Sequence, residues 1–117
     1  MAYHVAAIGH ALVDVLASAN DSFLLEHNIA KGVMTMIDEY RAATLYSAFT
    51  GPQEAAGGSA ANTLAGLVSF GGQGYFIGKV KDDRLGGSFA GSMRESGLTF
   101  TAPPATSGPQ TGCCLIV

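Results

Sequence analysis

The stretch GGSAANTLAGLVSFGGQGYFIGKV, residues 57–80, decides the fold class of this chain. Two glycines open a run of small, helix-compatible residues, and this run ends at a second glycine pair, Gly71-Gly72. The aromatic and β-branched residues between Tyr75 and Val80 then predict a strand. A helix that leads directly into a strand is typical of α/β proteins, in which helices pack on a mainly parallel sheet.

The same alternation extends outward along the chain in both directions. Asn or Asp residues that can cap a helix precede three further patterns of helical spacing. These patterns predict helices near 21–27, from Asp38 to Phe49, and after Asp82-Asp83 as far as Gly97. Strands are predicted at 5–8, 11–17, 33–37 and 75–80, with extended segments within 98–117. Because the segments at 11–17, 33–37 and 98–117 do not fit a simple alternation, we expect a small second sheet beside the main one.

The composition is that of a globular and slightly acidic protein. Of the 117 residues, 48% are hydrophobic and 13% are charged, and the formal net charge is -3. The length suits one domain, and the charge balance provides no basic surface for nucleic acid. No apolar run approaches the roughly 18 residues of a membrane span, and the first residues do not resemble a signal peptide. We therefore expect a cytoplasmic protein with no nucleic-acid or membrane partner.

The last residues of the chain suggest two expectations. Cys113 and Cys114 are adjacent, so on a strand their side chains point to opposite faces, and a disulfide between them would be strained. We expect free thiols, whose role the sequence leaves open. Residues 115–117 read as the middle of an apolar strand. We therefore expect this chain to be the amino-terminal part of a longer protein.

The glycine pair Gly57-Gly58 is the strongest candidate for a binding site. Glycine lets a ligand approach the backbone closely, and the helix start that follows offers free N–H groups to electronegative atoms. A plain turn with tight helix packing explains the same pattern. Asn62, one turn into the predicted helix, carries an amide that can either recognise a hydroxyl group or face solvent.

Asp14 is the second candidate, because it is a carboxylate within the apolar run at 11–17. Such a group is costly unless it is paired or faces a cavity or solvent. It is suited to accept hydrogen bonds from the hydroxyl groups of a polyol, and an edge-strand residue that faces water is the alternative. His10 is the only histidine beside a candidate site and is either a ligand-binding residue or without function.

Several common motifs are absent from the sequence. The glycines at 71–74 follow a predicted helix and precede a strand, which is the reverse of a dinucleotide fingerprint. No P-loop sequence occurs, and the histidines lack the spacing of metal ligands. We predict no metal site within the chain.

Together these motifs resemble the PfkB family, which includes ribokinase, fructokinase and adenosine kinase. Residues 9–14 resemble the opening strand motif of the family, a glycine followed by an aspartate. Residues 57–63 resemble its Gly-Gly-x-x-x-Asn substrate motif. Residues 71–97 resemble its amino-terminal signature, with Leu85-Gly86 in place of a Phe-Gly pair and Lys81 in place of a common glycine. The likeness is greatest to adenosine-kinase-like sugar kinases.

The resemblance implies a ribokinase-like α/β sandwich with a small β-sheet lid. Residues 1–117 would form the amino-terminal part of the kinase domain, with lid strands within the three extra extended segments. Asp14 and the Gly57-Gly58 backbone would bind hydroxyl groups of the substrate, and Asn62 would support the same contacts. His10 stands where adenosine-kinase-like members often have Asn, which leaves the choice between sugar and nucleoside open.

The resemblance also implies a reaction, the transfer of the ATP γ-phosphoryl group to a primary hydroxyl in the presence of Mg²⁺. The general base of the family is the aspartate of a Gly-Ala-Gly-Asp motif, and Asn-x-x-Glu is its magnesium motif. Neither sequence occurs in residues 1–117. We therefore expect a sugar or nucleoside kinase as the parent protein, with this chain supplying the substrate-binding half and no catalytic residue. We expect the chain alone to be inactive.

Two alternatives stay open at this point. The first is a short relative that binds a sugar, or forms a homodimer through the lid, without catalysis. The second is an unrelated doubly wound domain such as a nicotinamide-dependent reductase, although the order of its glycines, helix and strand disfavours it.

Overall fold

The computed structural model describes residues 2–117, in which strands and helices alternate along the chain. The strands are β1 (Val5–Ile8), β2 (Leu12–Leu16), β3 (Gln53–Gly57), β4 (Gly74–Ile77) and β5 (Gly112–Ile116). The helices are α1 (Asp21–Glu26), α2 (Glu39–Ala48), α3 (Ser59–Ser69) and α4 (Arg84–Glu95). The predicted α/β class is therefore confirmed.

The helices begin where the sequence predicts caps. The side chains of Asn20, Asp38 and Asp83 accept hydrogen bonds from backbone N–H groups in the first turns of α1, α2 and α4, at 2.9, 2.7 and 2.7 Å. These bonds satisfy donors that have no partner inside a helix. Helix α3 differs, because its N-cap is Gly58, which has no side chain to accept such a bond.

The strands form two separate sheets. In the first, β1 and β4 pair in parallel from Val5↔Gly74 to Ile8↔Ile77. The second has the order β3-β2-β5, with β2 antiparallel to β3 and parallel to β5. The chain passes from the first sheet to the second through residues 9–11, because β1 leads almost directly into β2.

One aromatic cluster forms the centre of the core and joins the two sheets. Phe89 of α4 is fully buried, and its ring centroid lies 5.5 Å from that of Phe76 in β4 and 5.3 Å from that of Phe100. Val13 and Val15 contribute the buried face of β2, and α3 covers β1 and β4 from its own side. The core therefore holds the two sheets together.

The prediction of a strand at 33–37 is wrong, because the structure has no strand there. Val33, Met34 and Met36 are 64%, 79% and 84% exposed. A strand needs partners for its backbone N–H and C=O groups, and residues 33–37 pair with no other segment between residues 2 and 117. The apolar composition of the segment is therefore not sufficient to form a strand in this structure.

The chain between residues 98 and 117 is less regular than the prediction implies. Its described residues form one strand, β5. Thr99 and Ala105 form only isolated parallel bridges, to Tyr75 and Lys81. Strand β3, in contrast, was not predicted. Its residues include no β-branched or aromatic side chain, so it owes its conformation to pairing with β2 rather than to its own propensity.

Candidate functional site

Asp14 lies on the face of the three-stranded sheet that points away from the core. Successive side chains of a strand point to opposite faces. Val13 and Val15 are completely buried on the core side, so Asp14 between them points to the other side, where it is half-buried. Between residues 2 and 117 its carboxylate forms no salt bridge and accepts no hydrogen bond. The oxygens remain open to solvent, since this part of the chain contains no buried polar side-chain atom without a partner.

Gly57 lies directly against this carboxylate. An alanine Cβ built at Gly57 would lie 2.3 Å from Oδ2, 2.7 Å from Oδ1 and 2.5 Å from Cγ of Asp14. These separations are far below van der Waals contact, so a side chain at position 57 would displace the carboxylate. The structure therefore brings Asp14 and Gly57, which are distant in sequence, into one site at the end of β3.

Gly58 connects the end of β3 to the start of α3. Its φ of +97° lies in the region that favours glycine, and a Cβ there would lie 2.7 Å from the carbonyl oxygen of His10. The residue also leads into α3, whose first N–H groups have no side-chain cap. The two glycines thus place an uncapped helix start beside Asp14, where its N–H groups and dipole favour electronegative atoms.

His10 borders the same site from the connection between the two sheets. Its side chain is exposed, and its Nε2 atom would lie 2.9 Å from a Cβ at Gly112, the first residue of β5. Leu12 packs over the same glycine, with its Cδ2 atom 2.7 Å from the built Cβ position. The backbone carbonyl of His10 thus lies against Gly58, while its imidazole lies against Gly112, and its role in binding stays a prediction.

Asn62 is not joined to Asp14 by a hydrogen bond. Its backbone N–H donates to the carbonyl oxygen of Gly58 at 2.9 Å, which is the first bond of α3. Its side chain is exposed and forms no hydrogen bond within residues 2–117. The structure places Asn62 one turn from the glycine pair, and its role in binding stays a prediction.

Two further residues of the site were missed by sequence reasoning. Cys114 stands opposite Asp14 in the parallel pair β2–β5, and its exposed side chain shares the face of Asp14. Burial raises the pKa of the Cys114 thiol, and the charge of Asp14 raises it further. Gly112 stands opposite Leu12 in the same pairing and leaves room for the His10 ring. Only the register of β5 on β2 reveals these neighbours.

Asp83, in the signature segment, has a structural role in this part of the chain. Its carboxylate accepts hydrogen bonds from the N–H of Gly86 at 2.7 Å, the hydroxyl of Thr111 at 2.7 Å and the N–H of Thr111 at 2.9 Å. Burial alone would raise the pKa of Asp83, but these donors outweigh it and hold the pKa below its ordinary value of 3.8. Asp83 thereby connects the start of α4 to the start of β5.

This arrangement predicts an acid-dependent loss of stability. A carboxylate with a lowered pKa stabilises the folded state above its ordinary pKa, and this contribution disappears as the pH falls through the lowered value. We expect Asp83→Asn to reduce the free energy of unfolding at pH 7 by about 1–2 kcal/mol and to flatten its decline below pH 4. Urea unfolding at a series of pH values measures both effects. The exposed Asp21, changed to Asn, is the control, and an equal change of slope in both variants contradicts the role of Asp83.

No metal site is found among residues 2–117, because no three His, Cys, Asp or Glu side chains converge in a group that could hold an ion. None of the helices in this part of the chain combines the length and apolarity needed to cross a lipid bilayer. The site around Asp14 brings together a carboxylate, the uncapped N–H groups at the start of α3 and the exposed side chain of His10.

This chain is similar to known kinases in sequence and in fold. The model of the pfkB family carbohydrate kinases matches residues 27–117. The adenosine kinase from Sinorhizobium meliloti is 44% identical, with a TM-score of 0.81 over 97% of this chain and 35% of that chain. A probable sugar kinase from Rhizobium etli CFN 42 is 37% identical, with a TM-score of 0.81 over 97% of this chain and 34% of that chain. None of the curated proteins matches.

A more distant structure shares the fold. The adenosine kinase from Schistosoma mansoni, in complex with adenosine and AMP, is 18% identical, with a TM-score of 0.80 over 100% of this chain and 37% of that chain. The chain thus spans about a third of the length of the solved structures it matches. The predicted ribokinase-like architecture is confirmed, and the chain belongs to the pfkB family of carbohydrate kinases.

Proposed function

We propose that this chain forms the acceptor-binding part of an ATP-dependent kinase that phosphorylates a hydroxyl group of a sugar or nucleoside. The observation that carries this proposal is the half-buried carboxylate of Asp14, which has no protein partner among residues 2–117 and lies against the backbone of Gly57. A carboxylate that is not used by the protein itself is available to accept hydrogen bonds from ligand hydroxyls.

The neighbouring groups complete a polyol site. The uncapped start of α3 after Gly58 supplies N–H donors, and Asn62 and His10 supply side chains that both donate and accept hydrogen bonds. The three-stranded sheet carries Asp14 on β2 and Gly57 at the end of β3, so we assign it as the lid. These groups bind and orient the acceptor hydroxyl, which is the main requirement for phosphoryl transfer between bound substrates.

ATP and Mg²⁺ are the co-substrate and metal that this proposal includes, on the strength of the family. Residues 2–117 contain no cluster of three or more His, Cys, Asp or Glu side chains that could hold a metal ion, and the sequence has no P-loop. We therefore assign no residue of this chain to the nucleotide triphosphate or to the metal. The chemistry attributed to the chain is the recognition of the acceptor.

The exchange Asp14→Asn tests the proposal in the protein that carries this chain. The amide has one acceptor oxygen instead of two and no charge, so we expect the affinity for the accepted substrate to fall about 10–100-fold. The affinity for ATP should change less than about twofold. Isothermal titration of separate protein samples with adenosine, with ribose and with ATP, each alone, measures both.

The matched control is Asp21→Asn, which removes the same charge from an exposed carboxylate paired with Lys31. This variant should bind both substrates like the unaltered protein. Equal losses of affinity for acceptor and ATP in Asp14→Asn would remove Asp14 from the acceptor site. Failure of the unaltered protein to bind either adenosine or ribose would count against both acceptors.

A further inference from the structure

Three polar residues of α4, at a spacing of four, follow β3 along its length. Arg84 donates through Nη1 to Oε1 of Glu54 at 2.6 Å, and Ser88 donates through Oγ to Oε2 of Glu54 at 2.8 Å. One turn further, the Oγ atom of Ser92 accepts a hydrogen bond from the N–H of Ala56 at 3.0 Å. Residues four apart lie on one face of a helix, so α4 presents a continuous polar stripe to the strand.

Ser92, at one end of this stripe, supplies a hydrogen-bond acceptor where β3 has no neighbour strand. β3 is at the edge of the sheet, so the backbone groups on its outer side have no strand partner among residues 2–117. Ser92 satisfies one of these outer N–H groups. Glu54 also accepts a bond from the hydroxyl of Tyr46 at 2.7 Å, and its side chain is only 14% exposed. A side chain of α4 thus takes the place of a strand partner at Ala56, and side-chain bonds to Glu54 hold the strand two residues earlier.

Ser92 bonds to the end of β3 that adjoins the carboxylate of Asp14. Ala56 directly precedes Gly57, and the carboxylate of Asp14 lies so close to Gly57 that it leaves no room for even a Cβ atom. A small shift of this strand end therefore changes the space around the carboxylate. Glu54, three residues away from Gly57, anchors the other part of the strand.

We propose that Ser92 is a positioning residue for the acceptor site, which holds Gly57 in place beneath Asp14 through the backbone of Ala56. It touches no substrate and acts only through β3. This inference rests on the proposed function of the Asp14 site. It predicts that a hydroxyl on α4, remote from the ligand, contributes to acceptor affinity but not to ATP affinity.

The kinetic test compares Ser92→Ala with Ser92→Thr in the protein that carries this chain. Ser92→Ala leaves the N–H of Ala56 without its acceptor, so we expect KM for adenosine or ribose, whichever is phosphorylated, to rise about 5–10-fold. KM for ATP should stay within about twofold, and Ser92→Thr, which keeps the hydroxyl, should restore most of the loss. Ser69→Ala is the control, because the hydroxyl of Ser69 bonds only within α3, to the carbonyl of Gly66.

A second measurement separates this inference from the proposed function. Amide hydrogen exchange of a peptide spanning residues 53–58 reports directly on the anchoring of β3. We expect Ser92→Ala to increase exchange in this peptide, with the remaining peptides unchanged. If neither adenosine nor ribose is phosphorylated, the proposed function fails for these acceptors, while the exchange result still decides whether Ser92 anchors β3. Unchanged exchange at 53–58, or equal changes in both KM values, overturns the inference.

Discussion

Replacing Gly57 by alanine is expected to weaken acceptor binding about 100-fold or more in the protein that carries this chain. The new Cβ would lie 2.3 Å from Oδ2 of Asp14, which is far shorter than a van der Waals contact. Either the carboxylate turns away or the end of β3 moves, and both displace the group that receives the hydroxyls of the substrate. Titration with adenosine and ribose, compared with titration with ATP, measures the selective loss.

A glycine of α4 provides the matched control for this substitution. Gly87 is exposed, and a Cβ there would meet no atom within 4 Å. Gly87→Ala should therefore leave acceptor affinity unchanged and stabilise the helix by about 0.5–1 kcal/mol. Unaltered acceptor affinity in Gly57→Ala would show that the contact with Asp14 has no importance for binding.

A double variant identifies the cause of the loss. If Gly57→Ala acts by displacing the carboxylate, the same change adds little in an Asp14→Asn background, because both substitutions impair one group. If it acts by moving β3 as a whole, the two losses add. Strongly non-additive affinities support the close packing of Asp14 on Gly57 as the basis of the site.

The helices could be predicted from the sequence because their signals are local. Asn20, Asp38 and Asp83 bond to N–H groups three residues away, and such caps are visible in a few neighbouring letters of sequence. The spacing of Leu85, Phe89 and Met93 likewise describes a single face of one helix. Tertiary structure does not alter these relations, so the predictions agree with the structure.

The strands were harder to predict because their partners are distant in the chain. β3 has weak intrinsic propensity and forms by pairing with β2, while the more apolar residues 33–37 remain irregular without a partner. Apolar patterning indicates that a strand can be buried, but it does not specify another strand to receive its hydrogen bonds. Both errors therefore have the same physical origin.

The candidate site shows the same division between local and distant information. Asp14 and the glycine pair are recognisable one at a time, as a charge in an apolar run and as a break before a helix. Their contact, and the places of Gly112 and Cys114, depend on the pairing of β2 with β3 on one side and β5 on the other. Those pairings join segments from the beginning, the middle and the end of the chain.

The second large effect concerns stability, and Phe89→Ala is expected to lower the free energy of unfolding by about 3–5 kcal/mol. Phe89 is completely buried, and its ring contacts Phe76 of the parallel sheet and Phe100 of the segment after α4. Alanine removes the apolar surface that these rings share and leaves a cavity that the rigid strands cannot close. Chemical unfolding of the protein that carries this chain measures the loss.

Phe70 offers a control of the same residue type, since it is 93% exposed at the end of α3. Phe70→Ala should change the free energy of unfolding by less than about 0.5 kcal/mol, as is usual for surface substitutions. Because Phe89 lies on α4 beneath the sheet that carries Asp14, its loss should also loosen the site, and acceptor affinity should fall with stability. A Phe89→Ala protein as stable as the unaltered one would contradict the assignment of this cluster as the centre of the core.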